Sequence, residues 1–351
     1  MEQKRKKALV VGALGIIGRN LIDHLSSLND WEIVGLSRRS PDFKTKAQFI
    51  PVNLLDPDDC REKLSGLHDI THIFYTAFQA RPTWAEHVAP NLAMLTNVVE
   101  AVEPIASDLK HVCLMQGYKV YGAHLGQFKT PAKESDSRHM PPEFYYAQED
   151  FLRQQQGKAW TWSALRPATV CGFAVGNPMN LAVLIAVYAA ISKELGIPLR
   201  YPGNPIGYTK LVDMTDSNLL AKATVWAATE PKCGNEALNI ANGDLFRWEH
   251  LWPKFAEFFG MEYAPPLQLK LTEVMADKEP LWNSIVQKYG LQPYSYKDIV
   301  SWQFGDFTFG WSYDAFADTN KSRRFGFHEV VNTEEMFLNL FSEFQRNKII
   351  P

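Results

Sequence analysis

The 351-residue chain is poor in cysteine and has none of the arrangements in which cysteine builds a scaffold. Cys60, Cys113, Cys171 and Cys233 are scattered, with no C-x-x-C pair and no histidine cluster beside them. That argues against a zinc site and a disulfide framework, and fits a reducing compartment. His72, His124 and His139 offer no metal or triad spacing. An excess of one charge is also missing: a net charge of -3 gives no electrostatic basis for binding nucleic acid or an acidic membrane. Long apolar runs are absent too. Leu181 to Ile191 is about half the length needed to span a bilayer and reads as a buried helix. The basic run Lys4-Arg5-Lys6-Lys7 leads straight into a strand, so no signal peptide is read and the run is a solvated terminus. There is no internal repeat and no low-complexity linker. A composition 46% hydrophobic and 21% charged belongs to a globular protein, expected to be soluble and cytoplasmic.

What is present is an alternation of short apolar runs with amphipathic stretches, the pattern of a parallel sheet wrapped by helices. Strands are expected at Ala8–Val11, Trp31–Leu36, Gln48–Val52, His72–Thr76, His111–Met115, Thr161–Leu165 and Glu236–Ala241. Helices are expected over Ile16–Leu28, Asn91–Glu103 and Trp248–Phe259, with another carrying Tyr146. The fold class is therefore α/β, a Rossmann-type doubly wound parallel sheet with a smaller, mainly helical C-terminal substrate lobe. The expected division gives 1–172, joined by 208–241, to the nucleotide-binding domain, and 173–207 with 242–351 to the lobe.

Gly12-Ala13-Leu14-Gly15-Ile16-Ile17-Gly18 follows the first strand and opens a helix. Gly12 permits the tight turn, Gly15 lets backbone approach a pyrophosphate, and Gly18 lets helix and strand pack closely. The helix N-terminus, with Leu14, Ile16 and Ile17, offers free N–H groups to phosphate. An acidic residue after the second strand would bind the ribose of NAD, but this chain has Ser37-Arg38-Arg39, which suits the 2′-phosphate of NADPH. Asn53 and Leu54 are placed at the adenine. Thr76 and Ala77, Gln116, and the Arg166-Pro167-Ala168-Thr169-Val170 loop through Pro167 and Val170 are placed along the rest of the cofactor.

Reductases with such a loop normally carry Tyr-x-x-x-Lys on a later helix. Here Phe144-Tyr145-Tyr146-Ala147-Gln148-Glu149-Asp150 puts Asp150 at the lysine position when the frame is set on Tyr146. Tyr145 is the rival for the phenol role. A cation must then come from elsewhere, and Lys119, just past the fifth strand, is the candidate. Taken alone, such a lysine is a surface residue and such a tyrosine is packing; their places relative to the glycine loop make them the expected catalytic pair. Tyr146, also counted among the cofactor contacts, and Lys119 would converge on one oxygen as an oxyanion hole. Phe78, Trp84, Tyr118, Phe144, Phe173, Met179 and Met214 are expected to wall an apolar pocket.

Through these residues the chain resembles the progesterone 5β-reductase and iridoid synthase-like (PRISE) enone reductases, an atypical short-chain dehydrogenase/reductase group. The matching segments are Gly12 to Gly18, Arg38-Arg39, Gly117-Tyr118-Lys119, Phe144-Tyr145-Tyr146 with Glu149-Asp150, and Thr161-Trp162-Ser163 leading to Arg166-Pro167. Asn320-Lys321-Ser322, Phe325-Gly326-Phe327 and Lys348-Ile349-Ile350-Pro351 are also similar. The resemblance implies NADPH-dependent reduction of the C=C bond of α,β-unsaturated carbonyl compounds, with a small hydrophobic enone as substrate and a homodimer left open. Three departures touch pocket shape and cofactor grip: Tyr118 replaces a usual basic residue, Asn53 replaces a usual aspartate, and the segment after Lys119 is one residue shorter. The rival readings are a sugar-nucleotide epimerase or dehydratase on the same scaffold, and a non-catalytic NADP-binding sensor.

Overall fold

A parallel sheet whose strands are buried on both faces needs helices on both sides, and the apolar residues of the first half supply both. The computed structural model describes residues 5–41 and 43–351, so Lys4 of the basic run lies outside it. In chain order the first half runs β1 (Lys6–Val11), α1 (Ile16–Ser27), β2 (Trp31–Leu36), β3 (Gln48–Ile50), α2 (Pro57–Leu64), β4 (His72–Tyr75), α3 (Trp84–Val102) and β5 (His111–Met115). It continues with α4 (Phe144–Gln154), β6 (Thr161–Pro167) and β7 (Val170–Cys171). Then follow α5 (Leu181–Glu194), the single turn α6 (Pro205–Tyr208), β8 (Thr215–Asp216), α7 (Ser217–Thr229), β9 (Glu236–Ile240) and α8 (Trp248–Phe258).

Seven strands form one parallel sheet in the order β3-β2-β1-β4-β5-β6-β9. The order reverses between β1 and β4, and the crevice outside the strand carboxyl ends at that point is where such sheets take ligands. Side chains alternate across the sheet. Leu9, Val11, Ile73, Tyr75, Val112 and Leu114 pack on the side of α2 and α3. Ala8, Val10, Phe74, Cys113 and Leu165 pack on the side of α1 and α7. A third core gathers α5, buried from Leu181 to Ser192, with Trp252 and Phe255 of α8. Phe337, Phe341 and Phe344 of the C-terminal helix Thr333–Arg346 complete it.

All the expected strands form, with ends shifted by no more than two residues. Helix α3 starts earlier than expected. Pro90 reads as a helix start because it lacks an N–H, yet the helix runs through it from Trp84. The Thr83 hydroxyl accepts from the Glu86 N–H and caps the true start.

His72 and His111 face each other across the β4–β5 ladder, and both are buried. Each ring sits within hydrogen-bond distance of hydroxyls: Thr71 for His72 at 2.8 Å, and Thr161 and Ser163 for His111 at 2.9 Å each. Burial lowers the pKa of His72 to about 4 and that of His111 to about 3. The folded form thus favours the neutral imidazoles, while the unfolded chain takes up protons near pH 6.5. Their contribution is present above pH 6.5 and is lost progressively as pH falls toward 4, at about 1.4 kcal/mol per pH unit for each ring. Thermal unfolding followed between pH 7 and pH 4 should show this slope, and His111→Gln should flatten it. An unchanged slope in that variant contradicts the assignment.

Candidate active site

The glycine loop has the geometry that its sequence requires. Gly12 has φ +86°, and a Cβ there would lie 2.8 Å from the Ala77 backbone. A Cβ on Gly18 would lie 2.3 Å from the Gly12 carbonyl oxygen. Gly15 is the N-cap of α1 and has no side chain with which to cap the first turn, so backbone N–H groups face the cleft. Gly12, Leu14, Gly15, Ile16 and Ile17 line one end of a cavity of about 810 Å³, together with Ser37, Arg38, Arg39, Asn53 and Leu54. Thr76, Ala77, Gln116, Pro167 and Val170 continue the wall. Arg38 and Arg39 form no ion pair among the described residues, so both guanidinium groups are open to an anion.

The reacting end sits where β5, β6 and α4 meet. Lys119 lies in a 3-10 turn (Tyr118–Tyr121) that follows β5 and ends at Gly122, whose φ is +83°. Its ammonium lies 4.5 Å from the centre of the Trp84 ring and 5.8 Å from that of Phe78. Burial lowers its pKa, while the charge of Glu143 acts to raise it. Lys119 and Tyr145 both line the cavity. A Cβ on Gly117 would stand 3.8 Å from the Tyr145 hydroxyl and 3.6 Å from the Pro167 carbonyl oxygen, which puts the phenol between the ends of β5 and β6. Among the described residues neither the Tyr145 hydroxyl nor the Lys119 ammonium has a hydrogen-bond partner.

Tyr146 does not take the position expected for it. Its hydroxyl donates to the Val120 carbonyl at 2.8 Å and accepts from the His139 N–H at 2.9 Å. Arg138 covers its ring at 4.8 Å. It is not on the cavity wall, so neither the catalytic nor the cofactor-contact placement holds. Neighbouring residues on a helix point about 100° apart, and only one of the pair can face the cleft. The correction moves the frame by one residue. With Tyr145 as the phenol, the position of the usual lysine is Glu149, and Asp150 is an outer residue paired with Arg138 at 2.7 Å.

Glu149 anchors α4 from beneath. Its buried carboxylate accepts from Arg166 at 2.9 Å, from Arg153 at 2.7 Å and from Gln116 at 3.1 Å. Burial alone would raise its pKa, but Arg166 and Arg153 outweigh that and hold it below the usual carboxylate range. The Arg166 Nε donates to the Gln116 side-chain oxygen at 2.9 Å, and the Gln116 amide donates to the Tyr145 carbonyl at 3.1 Å. Residues at the ends of β5 and β6 thus clamp the turn that presents Tyr145.

Tyr118, Phe144, Phe78, Met179 and Met214 line the cavity. Two expected wall residues do not. Trp84 stacks on Lys119 outside the wall, and Phe173 packs between Arg19 and Phe344, at 5.2 and 5.8 Å. Tyr201, Trp248, Phe304, Phe307, Thr308 and Trp311 also line the cavity, beyond the residues expected from the sequence. Phe304, Phe307 and Thr308 stand at i, i+3 and i+4 on the helix Trp302–Phe309, and Trp311 follows its end. A further such wall residue is Asp213, whose carboxylate accepts from the Tyr118 hydroxyl at 2.7 Å and whose pKa burial raises to about 7.

Comparison with known proteins gives a family and a fold. The PRISE-like Rossmann-fold domain family matches residues 55–351. The chain is 37% identical to (S)-8-oxocitronellyl enol synthase of Nepeta racemosa, over 98% of this chain and 93% of that protein. It is 35% identical to 3-oxo-Delta(4,5)-steroid 5-beta-reductase of Arabidopsis thaliana, with the same coverage. Among solved structures, the UDP-glucose 4-epimerase of Thermotoga maritima superposes with a TM-score of 0.69 at 19% identity, covering 97% of this chain and 99% of that one. At that identity the likeness is one of fold.

The clamp makes one prediction. Arg166→Met leaves the Glu149 carboxylate buried without its main partner and should cost about 3–5 kcal/mol in urea unfolding. A loss under about 1 kcal/mol contradicts the clamp.

Proposed function

The chain belongs to the PRISE-like Rossmann-fold family, and on that premise we propose that it is an NADPH-dependent reductase of the C=C bond of α,β-unsaturated carbonyl compounds. The observation that carries the reading is the placement of Lys119 and Tyr145, two unpartnered donors, on the wall of one cavity. The cofactor fits the residues present: the Gly12 turn, the uncapped start of α1, and Arg38 and Arg39, which form no ion pair among the described residues, suit a pyrophosphate and a 2′-phosphate. NADPH, when bound, supplies the hydride.

The substrate carbonyl oxygen accepts hydrogen bonds from Lys119 and Tyr145. As hydride adds to the β-carbon, negative charge moves to that oxygen, and the two donors stabilise the enolate. Burial raises the pKa of the Tyr145 phenol, so it acts as a neutral donor throughout. The α-carbon is then protonated from solvent. In 1,4-addition the oxygen lies two atoms farther from the hydride acceptor than in carbonyl reduction. A cation on the β5 side, in place of a lysine at position 149, answers that displacement. The apolar walls, from Met179 and Met214 to Phe304 and Trp311, favour a bulky or flexible hydrophobic enone. The epimerase reading has only a likeness of fold behind it, and the position it needs as lysine is Glu149. The sensor reading leaves both unpartnered donors without a purpose. Four buried free cysteines suit a reducing cytoplasm.

Tyr145→Phe should lower turnover of a cyclic or linear enone about 100- to 1000-fold, with NADPH affinity unchanged, whereas Tyr146→Phe should keep turnover within a few-fold of wild type. The reverse ranking sinks the assignment. Replacing Arg38 and Arg39 together by alanine should weaken NADPH binding at least about tenfold and leave NADH binding unaltered; equal losses for both would remove the 2′-phosphate role.

A further inference from the structure

Glu143 is a buried carboxylate at the N-terminus of α4, and the mechanism above does not use it. A carboxylate in that position is costly unless something charged or polar answers each oxygen. One oxygen, Oε1, accepts from the Tyr145 N–H at 3.1 Å and caps the helix. The other, Oε2, lies 3.5 Å from Nε2 of His124. That imidazole is a weak answer: burial and the nearby Lys119 lower its pKa to about 4, so it is neutral. Among the described residues neither of its ring nitrogens has a hydrogen-bond partner.

The Lys119 ammonium shares this neighbourhood through Trp84, and its charge acts against the burial that raises the Glu143 pKa. Aromatic rings flank the ammonium, Trp84 at 4.5 Å and Phe78 at 5.8 Å. His124 stacks edge-on against Trp84 at 4.8 Å, and His87 lies 5.5 Å from both Trp84 and Phe78. The titratable groups around Lys119 are therefore His87 from α3, His124 after the 3-10 turn, Glu143 at the cap, and Tyr145. Both histidines are held toward the neutral form by burial and by Lys119 itself. Glu143 is the carboxylate that acts on Lys119, and it does so without a contact ion pair among the described residues. The ammonium thereby keeps its N–H groups for the substrate.

We propose that Glu143 is a positioning residue for the oxygen site: its Oε1 fixes the helix turn that presents Tyr145, and the charge of the carboxylate as a whole keeps Lys119 an ammonium ion without occupying its hydrogen bonds. Burial favours loss of that proton. A neutral amine would still donate a hydrogen bond but would no longer offset the enolate charge. Glu143 holds both donors of the hole through a single side chain. The inference rests on the reading of Lys119 as the cation at the substrate oxygen.

The test separates the two claims. The ionisation of Lys119 is measured in the full-length protein by trace acetylation across pH 6 to 11, with the modified peptide quantified by mass spectrometry. The alkaline limb of kcat/KM for enone reduction is measured alongside. Glu143→Gln retains an oxygen to cap Tyr145 but removes the charge. Its Lys119 titration should move down by about one pH unit, and the alkaline limb should move with it, while activity on the acid side of the limb is retained. Glu143→Asp keeps the charge on a shorter arm and should shift less. If the Gln variant does not fold, the Asp variant decides alone, by a smaller downward shift. An unmoved Lys119 titration overturns the proposal. A titration that moves while the kcat/KM limb stays fixed upholds the role of Glu143 and overturns the placement of Lys119 at the substrate oxygen.

Discussion

The ion pair between Arg166 and Glu149 is the constraint from which the site follows. It joins the last residues of β6 to the second turn of α4 at 2.9 Å, with both side chains buried. An isolated buried charge of either sign would not be tolerated there, so each requires the other. Gln116 closes the triangle from the end of β5 and passes the restraint to the Tyr145 carbonyl. Three elements that meet at the sheet edge are locked together, and the phenol they present is left unpartnered over the cleft. Arg166 also donates to the Tyr121 hydroxyl at 3.2 Å, so the turn that carries Lys119 is tied to the same guanidinium.

That clamp explains how the site can do without a lysine on α4. The position one turn beyond the phenol faces Arg166, where a second cation would be repelled. A carboxylate binds there, and in the proposed mechanism the cation at the oxygen comes from the 3-10 turn after β5. The two donors keep their protons for different reasons. Burial holds the phenol neutral, and the Glu143 charge opposes the effect of burial on the ammonium. In the proposed mechanism the site receives negative charge on an oxygen rather than exchanging a proton with it.

Much of this was legible in the sequence because short-range sterics dictate it. The glycine loop needs Gly12 and Gly18, since any Cβ there meets backbone, and alternating apolar runs give the parallel strands. Lys119 stands out in the sequence because it lies just past the carboxyl end of the fifth strand, the edge where such sheets bind ligands. The choice between Tyr145 and Tyr146 was not legible. With Glu149 and Asp150 both acidic, the missing lysine leaves no anchor for the frame, and the register depends on Arg166, which is remote in sequence. The start of helix α3 is set by the Thr83 cap, and the helix runs through Pro90. Wall residues such as Asp213 and Tyr201 come from segments that only the tertiary fold brings to the cavity.

The central claim is that Lys119 and Tyr145 converge on one oxygen that becomes negatively charged. A chromogenic phenol, bound with NADP+ and titrated by absorbance, presents such an oxygen without turnover. Its ionisation should occur at lower pH when bound than when free, and Lys119→Met should remove most of that difference. A bound phenol that ionises at its free pH, or a shift untouched by Lys119→Met, would contradict the account.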